Sequence, residues 1–180
     1  AQRAAAMSAA GDPSVMLDRF RQAQHVAQVG SWELNLATRV MWGSEEAFRL
    51  YGLDITPDQS LPLALAQSVP LPEFRPALDA ALRALMTGTG VYDVEYQIRR
   101  PDDGQIRDIR SRAELVLRAD NPDPLVVGTL QDITDRKTME SALRASEERF
   151  RAIMEHAADA IVIADRQAVV EANPQASVLT

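Results

Sequence analysis

Residues 126–154 read VVGTLQDITDRKTMESALRASEERFRAIM, in three successive phases. VVGTL is alternating and β-branched, which suits a strand. Asp132-Ile133-Thr134 then offers side-chain oxygens where the first N–H groups of a helix need acceptors. From Met139 the apolar period changes from two to about three and a half. Met139, Leu143, Phe150 and Ile153 fall on alternating steps of four and three once Ser146 fills the gap, and Ala157 and Ala160 continue the seam. Glu140, Arg144, Glu147, Glu148, Arg149 and Arg151 crowd the other faces. One strand therefore feeds a helix, 134–158, that carries a coiled-coil stripe.

Upstream, Asp12-Pro13-Ser14 is a helix start, with a capping carboxylate and a proline in the first turn. Met16, Leu17, Phe20, Ala23 and Ala27 form its apolar stripe, and Gly30 is expected to stop it, giving an N-terminal, dimer-forming helix over 14–30. SWELNLAT alternates as a half-buried strand, Thr38-Arg39 turns, and VMW follows. Ser44 caps a short helix that Gly52 ends. Residues 54–73 are proline-rich and read as a loop with a helical turn or two near LALAQ. Phe74, Leu78, Ala81, Leu82 and Leu85 then share one helical face.

VYDVEYQIRR alternates, with Tyr92, Val94, Tyr96 and Ile98 on one side. Pro101-Asp102-Asp103-Gly104 is a hairpin turn, because proline presets φ and glycine accepts a positive one. The return strand places Ile109, Ala113, Leu115 and Leu117 on one face and Arg110, Arg112 and Glu114 on the other. Residues 120–124 turn again, and LVVGTLQ is the last strand. Sequential hairpins with interspersed helices predict an α+β fold, an antiparallel sheet with helices on one face.

VGSWELNL, VMWGSEEAFRLYGL, YDVEYQIRRPDDG and VVGTLQDIT, in this order, resemble the successive blocks of a PAS domain. The exit GTLQDITDRKTMESALRASEERFRAIME resembles the DIT motif and signalling helix that lead on from such domains in bacterial sensory proteins. The resemblance implies a five-stranded antiparallel sheet over 31–133 with flanking helices, a module that senses or dimerises, and a downstream output such as a histidine kinase of a two-component system or a cyclic-dinucleotide enzyme. Two blocks depart from the family pattern. VPLPEF stands where a His-Pro-Asp-Asp run is common, and Asp108 where a tryptophan is common. Arg19-Phe20-Arg21 recurs as Arg149-Phe150-Arg151, and AADA, IVIAD and VVEANPQASVL then resemble the start of a second PAS domain over 159–180, with Asn173 the counterpart of Ser44. Residues beyond about Asp165 are expected to be disordered, helical or packed on a partner, since a lone hairpin is barely stable. Residues 1–13 read as a flexible lead.

The formal net charge of −7 argues against a nucleic-acid or anionic-membrane binder. There are no cysteines, so a thiolate metal site, a cysteine nucleophile and a cysteinyl chromophore adduct are excluded. No apolar run approaches the ~20 residues of a membrane span. A cytoplasmic location fits these observations. His25 and His156 lack partners at ligand spacing, so no metal site is expected. No nucleophile–base–acid pattern is present, and no catalytic residue is expected. A haem-binding PAS domain would carry a histidine on the long helix, and 74–86 has none. Noncovalent flavin stays open as an alternative, because it needs only a pocket with a few polar groups.

The candidate pocket residues are Trp32, Leu34, Phe48, Leu78, Leu82, Tyr96, Ile98, Leu115 and Val126 or Gly128, from the inner sheet face and the long helix, with Tyr92 and Tyr96 supplying hydroxyls. The competing reading is that they fill a closed core. Asp132, Ile133 and Thr134 are the candidate transmission joint, with Arg110 or Arg112 expected to pair with Asp132. A homodimer is expected, with its seam at Phe20, Met139, Leu143, Phe150 and Ile153.

Overall fold

The computed structural model describes residues 13–118, 121–164 and 169–176. The chain divides into two compact units, Ala1–Thr134 and Asp135–Thr180.

In the first unit, helix α1 (Pro13–Ala27) leads into strands β1 (Val29–Asn35) and β2 (Val40–Gly43) and helix α2 (Glu45–Tyr51). Strand β3 (Ser60–Pro62), helix α3 (Leu63–Ser68), a 3-10 turn (Pro72–Phe74) and helix α4 (Arg75–Met86) follow. Strands β4 (Tyr92–Arg99), β5 (Ile106–Arg118) and β6 (Asn121–Asp132) complete it. The sheet order is β3-β2-β1-β6-β5-β4 and every pairing is antiparallel. The first and last halves of the unit thus meet along β1 and β6, with Trp32 opposite Gly128 and Leu34 opposite Val126.

The α+β, PAS-like architecture follows the sequence reading with one extra strand. The sheet has six strands, since β3 adds a three-residue edge inside the proline-rich stretch read as a loop. Prolines suit such a position, because an edge strand leaves one row of N–H positions unpaired. The last strand also begins earlier than LVVGTLQ, at Asn121. Leu117 does not share the inner face: it is 76% exposed, at a register shift between Val116 and Arg118.

The core follows the period-two pattern. Trp32, Leu34, Tyr96, Ile98, Ile109, Val126 and Leu130 are buried on the inner face. Leu78, Leu82 and Leu85 of α4 pack on them from the helical side. Ser44 caps α2 as read: its Oγ accepts from the Ala47 N–H, and Gly52 ends the helix at φ 67°. Gly30 does not stop α1. The helix ends at Ala27, Gln28 takes the left-handed conformation at φ 51°, and Gly30 lies within β1. It is glycine for another reason: a Cβ there would sit 2.5 Å from Ala47 Cα, so β1 and α2 touch backbone to backbone.

Helix α5 runs from Thr134, the last residue of the first unit, to His156, and in the second unit strands β7 (Val162–Ala164) and β8 (Val169–Ala172) pair in a two-stranded sheet of their own. Residues 169–172 are therefore paired strand rather than the disorder or helix expected there; residues 165–168 lie outside the described residues. Asn173 is 1% exposed and closes this hairpin. Its Oδ1 accepts from the Ile161 and Ala176 N–H groups, and its own N–H donates to the Ile161 carbonyl. In the first unit, Ser44 Oγ accepts from the Ser31 and Ala47 N–H groups, and the Ser44 N–H donates to the Ser31 carbonyl. The two residues hold the end of their hairpin to the start of the next segment by the same set of bonds.

Candidate functional site

Two features of the first unit have the makings of function: a cavity between the sheet and the helices, and the joint where β6 becomes α5.

The cavity, about 100 Å3, is lined by inner-face residues of β1, β4 and β5 and by α2, α3 and α4. Of the candidates named from sequence, Trp32, Leu34, Phe48, Leu78, Leu82 and Tyr96 line it. Ile98, Leu115, Val126 and Gly128 do not. Ile98 and Val126 are fully buried in the core, and Leu115 packs against that core. Gly128 lies beneath the Trp32 indole, where an added Cβ would come within 2.6 Å of the ring and of the Arg112 carbonyl. Alternation along a strand tells which face a residue takes. It does not tell where along that face packing leaves a gap.

Tyr92 and Tyr96, named from sequence for their hydroxyls, both line the cavity, while sequence reading missed the other polar groups there, Tyr51, Ser111, Gln67 and Asp79. Tyr51 and Tyr96 share a hydrogen bond between hydroxyls at 2.5 Å, and the Trp32 Nε1–H donates to Ser111 Oγ at 3.2 Å. Tyr92 and Ser111 line the same cavity. Burial pushes the Tyr92 hydroxyl up to about 12 and those of Tyr51 and Tyr96 well above the ordinary phenol range. All three tyrosines of the chain line this one cavity and are held protonated in it. Also in its lining, Gln67 Nε2 donates to Asp79 Oδ1 at 3.1 Å. Ser111 was legible as an inward residue opposite Leu130, a small polar side chain in an apolar row. Tyr51, Gln67 and Asp79 come from three different helical turns, and no spacing in the sequence links them.

The joint is a closed knot of short bonds. The Thr134 N–H donates to Asp132 Oδ1 at 2.8 Å, and the Thr134 hydroxyl bonds to the same oxygen. Thr134 Oγ1 also accepts from the Asp108 N–H at 2.9 Å, while the Ile133 N–H donates to the Asp108 carbonyl at 2.8 Å. Ile133 is buried. The start of the helix is thereby fastened to β5 as well as to its own strand.

The expected pairing of Asp132 with Arg110 or Arg112 is corrected. Asp132 stands opposite Ile109, on the inner face, so Arg110 and Arg112 project from the other side of the sheet. Arg110 clamps Asp93 with Nε and Nη2 at 2.8 and 2.7 Å, and Arg112 Nε adds a third bond at 3.0 Å. These bonds, Arg110's first, hold the Asp93 carboxyl at about 2. The cation near Asp132 is Arg107, at 3.7 Å, whose buried Nε has no partner among the described residues.

The histidines take no ligand role together. His25 Nδ1 lies 2.9 Å from Glu46 Oε2, which also accepts from Arg49. Among the described residues there is no group of three or more His, Asp or Glu that could hold a metal ion, and no helix long and apolar enough to cross a membrane.

The antiparallel sheet with helices on one face, a hollow between them and a capped strand-to-helix exit together give a PAS-like domain. The PAS fold family model matches residues 43–130, and a PAS domain model matches residues 148–180. The structure of a sensory box histidine kinase/response regulator from Burkholderia thailandensis is similar with a TM-score of 0.59 and 32% identity, over 74% of this chain and 98% of that one. The chain belongs to the PAS domain family. It is 29% identical over 144 residues to the sensor protein FixL of Bradyrhizobium diazoefficiens, and 25% identical over 150 residues to the probable diguanylate cyclase DgcE of Escherichia coli. It spans 28% and 13% of the length of these two relatives.

Proposed function

We propose that the chain is a sensory and relay module that dimerises and passes a signal through the Asp132–Thr134 joint and helix α5 to an output domain of the same polypeptide. The observation that carries this reading is the double tie of Asp108 to Ile133 and Thr134. A shift of β5 relative to β6 would strain the helix cap directly, so a change in the sheet becomes a change at the helix start. Similar proteins named as a sensory box histidine kinase/response regulator and a probable diguanylate cyclase support a histidine kinase or a cyclic-dinucleotide enzyme as the output. The module itself performs no catalytic step. The matching bonds of Ser44 and Asn173 support a second PAS domain beginning after the helix. The acidic balance supports a module that binds no nucleic acid, and the lack of cysteines fits a cytoplasmic one.

The dimer reading is supported by what α1 and α5 leave uncovered. Phe20 on α1 is 57% exposed, and Met139, Leu143 and Ile153 on α5 are more than half exposed. A helix pair would bury these side chains, and about three heptads need that help because isolated helices of this length are marginal. Light scattering on this chain and on one ending at Asp132 tests the reading. A dimer that becomes a monomer on shortening supports α5 as the seam. Two dimers move the seam to α1 or the sheet, and two monomers end the coiled-coil reading. The flavin alternative predicts a yellow protein after gentle purification. A cavity of about 100 Å3 speaks against it, since sites that bury ligands of such size run to roughly 300–1,000 Å3.

A further inference from the structure

Two blocks of the sequence depart from the family pattern, VPLPEF at 69–74 and the single residue Asp108, and in the structure one residue, Gln97, joins them. Residues 69–71 run along β4, the last strand of the sheet. The Leu71 N–H donates to the Gln97 carbonyl at 2.9 Å, and Pro70 forms a bridge with Ile98. Arg75, the first residue of α4, braces the same corner. Its Nε donates to the Pro70 carbonyl at 2.9 Å and its Nη2 to the Ser68 carbonyl at 2.7 Å. The corner between α3 and α4 is thus fastened to β4 at Gln97.

The side chain of Gln97 carries the connection onward. Gln97 stands opposite Asp108 across the β4–β5 pair, on the face away from the core, since Tyr96, Ile98 and Ile109 are buried inward. Its Nε2 donates to Asp108 Oδ1 at 3.3 Å, and both residues are half-buried. A carboxylate serves here because it accepts, whereas the indole of a tryptophan only donates. Asp108 in turn gives its backbone to the exit, with its N–H on Thr134 and its carbonyl on Ile133. It is oriented from β4 by its side chain and holds the start of α5 by its main chain.

We propose that Gln97 and Asp108 are positioning residues of the exit: the pair ties the α3–α4 corner to the Asp132–Thr134 joint, so that displacing the corner changes how Asp108 holds the first residue of α5. This rests on the joint being the relay of the sensory module. It adds the part of the domain that the joint reads. Such a link is established by measured coupling between its two ends.

The test reads amide hydrogen exchange by NMR on the full chain at Ile133 and Asp108, whose N–H groups close the joint. Arg75→Met removes both braces of the corner and is expected to speed exchange at these two amides roughly fivefold. The same response is expected in Asp108→Asn, which keeps the accepting oxygen. Gln97→Met and Asp108→Leu each cut the side-chain link, and adding Arg75→Met to either is expected to leave the two amides where that variant alone puts them. A merely structural pair would shift the starting rates without abolishing the response to the corner. Either cut variant decides the matter if the other fails to fold. The proposal falls if Arg75→Met moves neither amide in the parent chain. It falls equally if the response survives in the cut variants, because the backbone ladder then carries it. Light scattering on the same samples reads the dimer separately. A monomer whose joint follows the corner keeps the coupling and ends the dimer reading, and a dimer whose joint ignores the corner ends the coupling alone.

Discussion

The backbone N–H of Asp108 donates to Oγ1 of Thr134 at 2.9 Å, which makes the first residue of α5 part of the hydrogen bonding of β5. Thr134→Val keeps the shape and removes the acceptor. It leaves the half-buried Asp108 N–H without its partner and is expected to cost about 1–2 kcal/mol, read as a lower denaturant midpoint at unchanged slope. Thr134→Ser retains the oxygen and is expected to cost less. No loss in Thr134→Val beside a clear loss in Thr134→Ser would show that the methyl group, not the bond, matters there.

Asp93 is the anchor of the outer-face arginines, and its carboxyl is held at about 2 chiefly by the Arg110 hydrogen bonds. Its folded value lies below the ordinary ~3.9, so its stabilising share is present above about pH 4 and is lost as pH falls toward about 2. The carboxyl is exposed, so the share is small. Arg110→Gln is expected to raise the Asp93 titration toward the ordinary value in carbon-detected NMR, whereas Arg107→Gln leaves it in place. An Asp93 titration that Arg110→Gln leaves unmoved would overturn the clamp of Arg110 on Asp93.

The three tyrosines give a second, alkaline signature. Their folded values lie above the unfolded ~10, so the stability they contribute is intact below about pH 10 and is lost as pH rises, through about 12 for Tyr92. Phenolate absorbance is expected to stay flat at pH 10 in the folded protein and then to rise steeply together with loss of far-ultraviolet circular dichroism. An absorbance rise near pH 10 with the fold intact would place at least one hydroxyl in solvent.

Gly128 is the floor under Trp32. Gly128→Ala would push a methyl into the indole and into the Arg112 carbonyl, both at 2.6 Å. The carbonyl belongs to the β5–β6 ladder and cannot swing aside, so a loss of about 1–3 kcal/mol is expected. Thermal unfolding checks it. A variant as stable as the parent would mean that β5 and β6 separate at little cost at this point.

Much of the fold was legible because its signals are local. The alternation of Trp32 and Leu34, of Tyr92 to Ile98 and of Val126 to Leu130 gave strands and inner face together. Ser44, Gly52 and Gly104 marked ends through requirements of single residues. Gly30 misled because its need for a bare backbone is set by Ala47, which the sequence does not place beside it. The partner of Asp132 was misread for a related reason: parity separates Arg110 and Arg112 from it, but only once the register Ile109 opposite Asp132 is known.

Six of the named pocket residues face the cavity, and the deep inner-face positions Ile98 and Val126 do not, because a cavity is a remainder left by packing rather than a property of any one strand. The sequence alone determined the order of elements apart from the edge strand β3, the inward row of the strands apart from Leu117, the polar exit at Asp132–Thr134 and the family. These depend on period, turn chemistry and short-range caps. Tertiary structure alone decided that Asp108 holds Thr134, that Arg107 approaches Asp132, and that Tyr51, Tyr96, Tyr92 and Ser111 meet at one wall. Each of those joins residues from separate elements, and only strand register and helix docking set the distances between them.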